Sequence, residues 1–216
     1  MAFKLFLWDR IETDAREFSR PDRIKTYTLK WTAPQLKTML SRRLAAHSNQ
    51  KVLSLAAITE LGRSADIHEL VVSLSGGSPR SIIRICKAIF DQQSELNSRS
   101  RAVSERAVLA GIEDIAAAIA AETVPENILR DLKKLKRADF RLTNVYADVF
   151  RISQGAGTQK VQSWQDSGVV IKIGNRQAKR GSRPSNVYAI SSPIVLKHIF
   201  SDTIALDFSE KKKASL

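Results

Sequence analysis

The sequence predicts a mainly helical protein in two parts, of which only the second contains a β-hairpin. Apolar residues recur at three- and four-residue spacing through most of residues 32–123, a pattern typical of amphipathic helices. Val124-Pro125 interrupts this pattern and marks the expected domain boundary. Beyond it, two apolar segments flank a glycine- and arginine-containing loop at 174–183, which predicts a hairpin.

The first part, residues 1–123, combines one apolar run with a series of helices. Residues 3–8 have the composition of a buried strand, but the segments that follow are mostly helical and offer it no sheet. We therefore expect upstream sequence to complete this domain. Thr32 is expected to cap a helix with Pro34 in its first turn. Further helices are predicted at 52–61, 67–74 and 79–93, and from Ser104 to about residue 121.

The second part, residues 124–200, has a different order of elements. A helix is predicted at 128–135, and a second one at 145–150 with Thr143 or Asn144 as its cap. The following elements are a turn at Gly155-Ala156-Gly157, a third helix at 159–167 capped by Thr158 and ended by Gly168, and strands at 169–173 and 186–190. Residues 201–216 form a basic tail that we expect to be partly disordered.

Positive charge is concentrated in the second part of the chain. The formal net charge is +13, and residues 124–216 contain 17 Lys and Arg against 8 Asp and Glu. This excess favours a polyanionic partner, and a solvated basic surface is the alternative. Because the loop at 174–183 is itself basic, we expect the partner to be nucleic acid.

The sequence excludes several classes of protein. The single cysteine, Cys86, cannot form an internal disulfide and lies in an apolar run, so we expect it to be buried. The three histidines have no spacing typical of metal ligands. No apolar run reaches the roughly 18 residues of a membrane span, and residues 1–9 do not resemble a signal peptide. A cytoplasmic location is expected.

The segment Gly76-Gly77-Ser78-Pro79-Arg80 places an arginine at the start of a helix. The glycines permit a sharp turn and the proline favours the first helical turn. An arginine there can bind a phosphate, because the helix N-terminus is also positive. A helix start with a surface arginine is the simpler interpretation. No G-x-x-x-x-G-K-[ST] motif for binding nucleotide phosphates occurs in the chain.

These segments resemble the end of the ATPase module of AAA+ proteins, in particular STAND and KAP-like NTPases and archaeal-type origin-recognition ATPases. The resemblance covers about residues 1–122. It rests on the strand-like run at 3–8, the Y-x-L-x-W-like element at 27–31 and the G-x-P-R-like motif ending in Arg80. It implies a helical lid in which Arg80 is the second sensor of nucleotide. Walker A and Walker B motifs are missing, so ATP and Mg²⁺ are implied only if an upstream P-loop core is present.

The order helix, helix, turn, helix, hairpin in residues 124–200 is that of a winged helix-turn-helix. Val161 and Trp164 are expected to face the core. The exposed residues of the third helix are expected to contact base edges and phosphates; they are Gln159, Lys160, Gln162, Ser163 and Gln165. The basic loop offers four cations for the DNA backbone, namely Arg176, Lys179, Arg180 and Arg183.

The sequence therefore favours a regulatory fragment of a P-loop ATPase, with a lid-like bundle followed by a winged helix that contacts duplex DNA. We do not expect this chain alone to be an enzyme. One alternative is a winged helix that binds a protein partner or inhibits its parent ATPase. The other is a free-standing transcriptional regulator.

Overall fold

The computed structural model describes residues 29–60, 66–176 and 184–200 of the 216-residue chain. The described residues are mainly helical and include a three-stranded antiparallel sheet. This agrees with the predicted fold class at that level. The predicted strand at 3–8, the first two residues of the element at 27–31, most of the basic loop and the tail at 201–216 lie outside the described residues.

The described portion of the first part contains four α-helices; the predicted cap Thr32 is confirmed, and Ser104, the predicted start of a helix, is also a cap. The Thr32 hydroxyl accepts from the backbone N–H of Gln35, and the Ser104 hydroxyl accepts from that of Ala107. These side chains satisfy N–H groups that the first helical turn leaves unpaired. The helices are α1 (Ala33–His47), α2 (Ile67–Leu74), α3 (Pro79–Asn97) and α4 (Glu105–Thr123).

The predicted helix at 52–61 is wrong. Its described portion contains only a 3₁₀ turn, Leu55–Ile58, after which the chain runs alongside residue 103. The backbone N–H of Val103 donates to Ile58 O at 2.7 Å, and that of Glu60 donates to Val103 O at 2.8 Å. These backbone groups therefore pair with a distant segment instead of continuing a helix.

Helix α3 extends four residues beyond its predicted end because its last turn is fixed by a buried glutamine. The Gln93 side-chain amide donates to Asn97 O at 3.2 Å. Its Oε1 accepts from the backbone N–H of Ser104 at 2.8 Å, which joins the end of α3 to the start of α4.

Helices α3 and α4 approach closely at Gly111. A Cβ placed on this buried glycine would lie 2.6 Å from the Cα of Ile89 and 2.8 Å from the carbonyl carbon of Ala88. The absence of a side chain therefore permits the contact. This glycine determines how closely α3 and α4 pack.

The described portion of the second part contains three strands, of which two were predicted. The β2–β3 hairpin is confirmed, and β1 adds a third strand by pairing with β3, with Phe140 opposite Tyr188. The sheet order is β1-β3-β2. The elements are α5 (Glu126–Leu135), β1 (Asp139–Arg141), a π-helix (Asn144–Val149), α6 (Gln154–Asp166), β2 (Val170–Arg176), β3 (Ser185–Ile190) and α7 (Pro193–Ile199).

Helix α7 connects the sheet with the helices of the first part. It follows β3 directly and packs mainly on α4, with further contacts to α2 and α5. A Cβ placed on Gly76 would lie 3.4 Å from Cδ of Pro193, the first residue of α7. The buried core is continuous from α4 through α7 to the sheet.

Candidate nucleic-acid interface

Helix α6, the predicted DNA-reading helix, is anchored by one buried face. Val161 and Trp164 are buried as predicted, and Gly157 lies on the same face one turn earlier. The Trp164 ring meets Phe140 of β1 edge-on, with 5.8 Å between ring centroids. It also contacts Phe150 at 6.3 Å. These aromatic contacts hold α6 against the sheet and the π-helix.

The predicted turn at Gly155-Ala156-Gly157 is wrong, because these residues form the first turn of α6. The helix is capped by Ser153, whose hydroxyl accepts from the backbone N–H of Ala156 at 3.2 Å. Thr158 is therefore not the cap. Gly157 is needed for packing, since a Cβ there would lie 2.7 Å from Cβ of Tyr146.

The predicted cap of the second helix is also wrong. Thr143 has helical backbone angles and makes no capping hydrogen bond. The side-chain oxygen of Asn144 instead accepts from the backbone N–H of Arg141 at 2.8 Å, across the end of β1. The helix itself is a π-helix, in which the backbone N–H of Phe150 donates to Val145 O.

The outer face of α6 carries polar side chains of the type that read base edges. Gln159, Gln162 and Ser163 are exposed, as the sequence predicts. Gln162 donates to Asp166 at 2.8 Å, and this bond would have to break before its amide contacts a base. Gln154 and Thr158 are exposed on the same helix. We did not predict these two because the helix was expected to start later.

Lys160 is not the exposed phosphate contact that the sequence predicts. Its Nζ lies 2.5 Å from Oδ2 of Asp131 on α5 and 4.7 Å from the centre of the Phe150 ring. The side chains of Lys160 and Asp131 are only 29% and 16% exposed. Lys160 therefore ties α6 to α5. Gln165, also expected to be exposed, is half-buried.

Replacing Lys160 with methionine is expected to destabilise the protein by about 1–3 kcal/mol, because the half-buried Asp131 carboxylate would lose its partner. Urea denaturation measures this change. The control is Lys87→Met, which breaks an exposed ion pair with Asp91 and should cost less than about 0.5 kcal/mol. The double variant Lys160→Met/Asp131→Leu should recover most of the loss. Equal losses of stability in Lys160→Met and Lys87→Met would show that the Lys160–Asp131 ion pair contributes no more to stability than the exposed pair.

The basic residues of the hairpin are concentrated at the end of β2 and in the loop that follows it. Arg176 ends β2, where its backbone pairs with Ser185, whereas Lys179, Arg180 and Arg183 lie outside the described residues. Lys172 in β2 is exposed. Ile171 and Ile173 in the same strand are also exposed, so this edge of the sheet has apolar as well as basic character.

Helix α5 carries a further group of cations beside an apolar face. Ile128, Leu132 and Leu135 are buried. The pKa of His198 in α7 is lowered by its partial burial and by the positive charge of Lys133 on α5. The exposed cations of α5 and the residues just after it are Arg130, Lys133, Lys134, Lys136 and Arg137.

Arg80 is exposed in the first turn of α3, after a glycine turn in which Gly76 and Gly77 have φ of 60° and 86°. One turn later, Arg84 donates two hydrogen bonds to Glu122 of α4 at 2.9 and 2.7 Å. These bonds lower the pKa of the Glu122 carboxyl, and the charges of Arg84 and Arg80 lower it further. Arg80 therefore lies near the end of α4.

Replacing Arg80 with alanine should change the free energy of unfolding by less than about 0.5 kcal/mol, because the side chain is exposed. Arg84→Ala serves as the contrast and should cost more, up to about 1 kcal/mol, through the loss of its two bonds to Glu122. Chemical denaturation of both variants measures the difference. A loss of several kcal/mol in Arg80→Ala would make this arginine structural and remove it as a candidate sensor.

No protein-family model matches this chain, and no curated protein has significant sequence similarity to it. Within the described residues, no helix is long and apolar enough to cross a membrane. The same part of the chain contains no group of three or more His, Cys, Asp or Glu side chains that could hold a metal ion.

Proposed function

We propose that residues 124–200 form a winged helix that binds duplex DNA. Helix α6 enters the major groove, and the β2–β3 hairpin lies against the neighbouring phosphates. The order α5, β1, π-helix, α6, β2, β3 supports this proposal, because α6 is followed directly by a hairpin that carries the basic loop.

The observation that carries the proposal is the division of α6 into two faces. Gly157, Val161 and Trp164 fix the inner face, so the outer face is presented on a rigid support. Gln159 and Gln162 there offer amides, which can both donate to and accept from the edge of a base. Ser163 offers a hydroxyl to a base or a phosphate.

Electrostatics supports a nucleic acid as the partner. The four cations of the hairpin loop stand in a segment from Lys172 to Ser201 that contains no acidic residue. Phosphate contacts of this kind supply most of the sequence-independent affinity for DNA. Lys160 has no part in the proposed contacts, because Asp131 already holds it.

A winged helix that binds a protein is the second candidate, and the exposed Ile171 and Ile173 favour it. Apolar side chains on an edge strand are typical of a surface that another chain covers.

Three variants distinguish the candidates, with fluorescence anisotropy of a labelled duplex as the measurement. Replacing Arg176, Lys179, Arg180 and Arg183 by glutamine should weaken binding to all duplexes alike. Gln162→Ala should alter the preference among sequences more than the overall affinity. Ile171→Ser/Ile173→Ser should leave DNA affinity unchanged. The protein-contact candidate replaces the proposal if the folded chain fails to bind any duplex below about 10 μM at about 100 mM salt.

For residues 1–123 we propose the lid of a nucleotide switch, with Arg80 as its sensor. Arg80 is exposed in the first turn of α3, as a phosphate contact requires. The proposal is tested in a protein completed by a P-loop core, where Arg80→Ala should impair ATP hydrolysis without unfolding the chain. Unchanged hydrolysis in that variant would contradict the proposal.

A further inference from the structure

A groove runs between α1 and α3, and its lining includes Leu40 and Cys86 from the buried faces of these helices. It encloses a volume of about 420 Å³. Cys86 is buried at its base, where burial raises the pKa of the thiol to about 12. The thiol is therefore an apolar group there at neutral pH. The remaining apolar lining consists of Leu40, Leu44, Val52, Ile58, Ile83 and Phe90.

Ile83 is the exposed part of this apolar surface, whereas Leu40 and Cys86 of the same lining belong to the core. Its neighbours Ile82 and Ile85 are completely buried, whereas Ile83 is 37% exposed and points into the groove. Together with the half-buried Leu44, Val52, Ile58 and Phe90, it forms a contiguous apolar surface, which is the property that marks a candidate contact for another chain.

The charged side chains that line the groove are all basic. They are Arg43 on α1 and Lys87 on α3, and the polar ring of His47 on α1 lies beside them in the lining. Lys87 also pairs with Asp91 one turn later, so Arg43 is the cation more available to a partner. Arg43 and His47 also line a second hollow along α1, together with Trp31 and Arg42, and the described lining of that hollow includes no acid.

We propose that the groove between α1 and α3 binds an acidic amphipathic helix of a partner protein. The apolar face of that helix packs on Ile83 and Phe90, and its glutamate or aspartate side chains face Arg43 and Lys87. A groove between two helices with an apolar floor and a charged rim is the usual receptor for such a helix. The charge complementarity speeds encounter and excludes basic partners.

The chemistry of the floor favours protein over nucleic acid as the occupant. Single-stranded nucleic acids bind where exposed aromatic faces accept stacked bases along a row of cations. This floor has one aromatic ring, the half-buried Phe90, among aliphatic side chains. Aliphatic surface of this kind is covered by leucine-like side chains of a helix.

The test uses the full chain and a fluorescein-labelled model peptide of about 18 residues, or five helical turns. Leucines form one face of the peptide and glutamates the other. Anisotropy should show saturable binding, at least about tenfold tighter than for the same peptide with lysines in place of the glutamates. Ile83→Glu should weaken binding by about tenfold or more, because it places a carboxylate on the apolar floor. Leu96→Glu is the matched control, since Leu96 is 41% exposed on the same helix but outside the groove.

Arg43→Glu provides an independent variant that leaves the apolar floor intact. It should weaken binding of the glutamate peptide and strengthen binding of the lysine peptide. Circular dichroism verifies that each variant is folded. The proposal is overturned if the glutamate peptide fails to bind, or if Ile83→Glu and Leu96→Glu have the same effect. It is likewise overturned if the groove variants abolish binding of DNA but not of the peptide, or if the chain forms a dimer that Ile83→Glu dissociates.

Discussion

Replacing Gly111 with alanine is expected to destabilise the protein by about 2–4 kcal/mol, although alanine is the better helix former by about 1 kcal/mol. The added Cβ would meet backbone atoms of Ile89 at 2.6 and 2.7 Å and the carbonyl carbon of Ala88 at 2.8 Å. Backbone cannot move aside as a flexible side chain can, so α3 and α4 would have to separate. Thermal and urea denaturation measure the loss.

Gly155→Ala is the matched control for this prediction. Gly155 also lies in a helix, but a Cβ there would meet no atom within 4 Å. This substitution should leave the free energy of unfolding unchanged or raise it by up to about 1 kcal/mol. If Gly111→Ala were as stable as Gly155→Ala, α3 and α4 would not approach each other as closely as described.

Replacing Trp164 with alanine should cost about 3–5 kcal/mol of stability, the range for removing a large aromatic side chain from a core. Trp164 is 1% exposed and lies between Phe140 and Phe150. The vacated space is bordered by three elements, β1, the π-helix and α6, which cannot all collapse into it. Urea denaturation followed by circular dichroism measures the change.

The control for Trp164 is Trp31→Ala, because Trp31 is 46% exposed at the start of α1. That variant should lose less than about 1 kcal/mol. A loss below about 1 kcal/mol for Trp164→Ala would contradict the described anchoring of α6. The proposed orientation of its outer face would then lack support.

Local signals in the sequence are sufficient to predict most of the helices. The caps Thr32 and Ser104 bond to the first turns of their own helices, and apolar residues repeat along each helix face. Both features depend on residues a few positions apart, so no knowledge of tertiary structure is needed. The hairpin at β2 and β3 is likewise predicted by two neighbouring apolar segments.

Features that depend on distant contacts were missed. Strand β1 is three residues long and is defined by pairing with β3, about 50 residues later in the chain. Gly155 and Gly157 suggest a turn, whereas Gly157 is in fact required by the approach of Tyr146. Helical periodicity predicts that Lys160 is an exposed cation of α6, because the sequence does not show that Asp131 of α5 lies beside it. In each case the deciding partner belongs to another element.

For the candidate interface, the sequence correctly predicts the inner and outer faces of α6. Val161 and Trp164 are buried, and Gln159, Gln162 and Ser163 are exposed, because helical periodicity alone separates the two faces. The half-buried position of Gln165 could not be predicted in the same way, since it depends on what packs beside the helix. Whether α6 and the loop bind DNA stays a prediction.

The most direct test of that prediction is the salt dependence of duplex binding. If Arg176, Lys179, Arg180 and Arg183 neutralise four phosphates, log affinity should fall with log salt concentration at a slope of about −3.6. Replacing the four residues together by glutamine should remove most of that slope and leave the thermal midpoint unchanged. A wild-type slope near zero, or an unchanged slope in the variant, would contradict DNA binding through this loop.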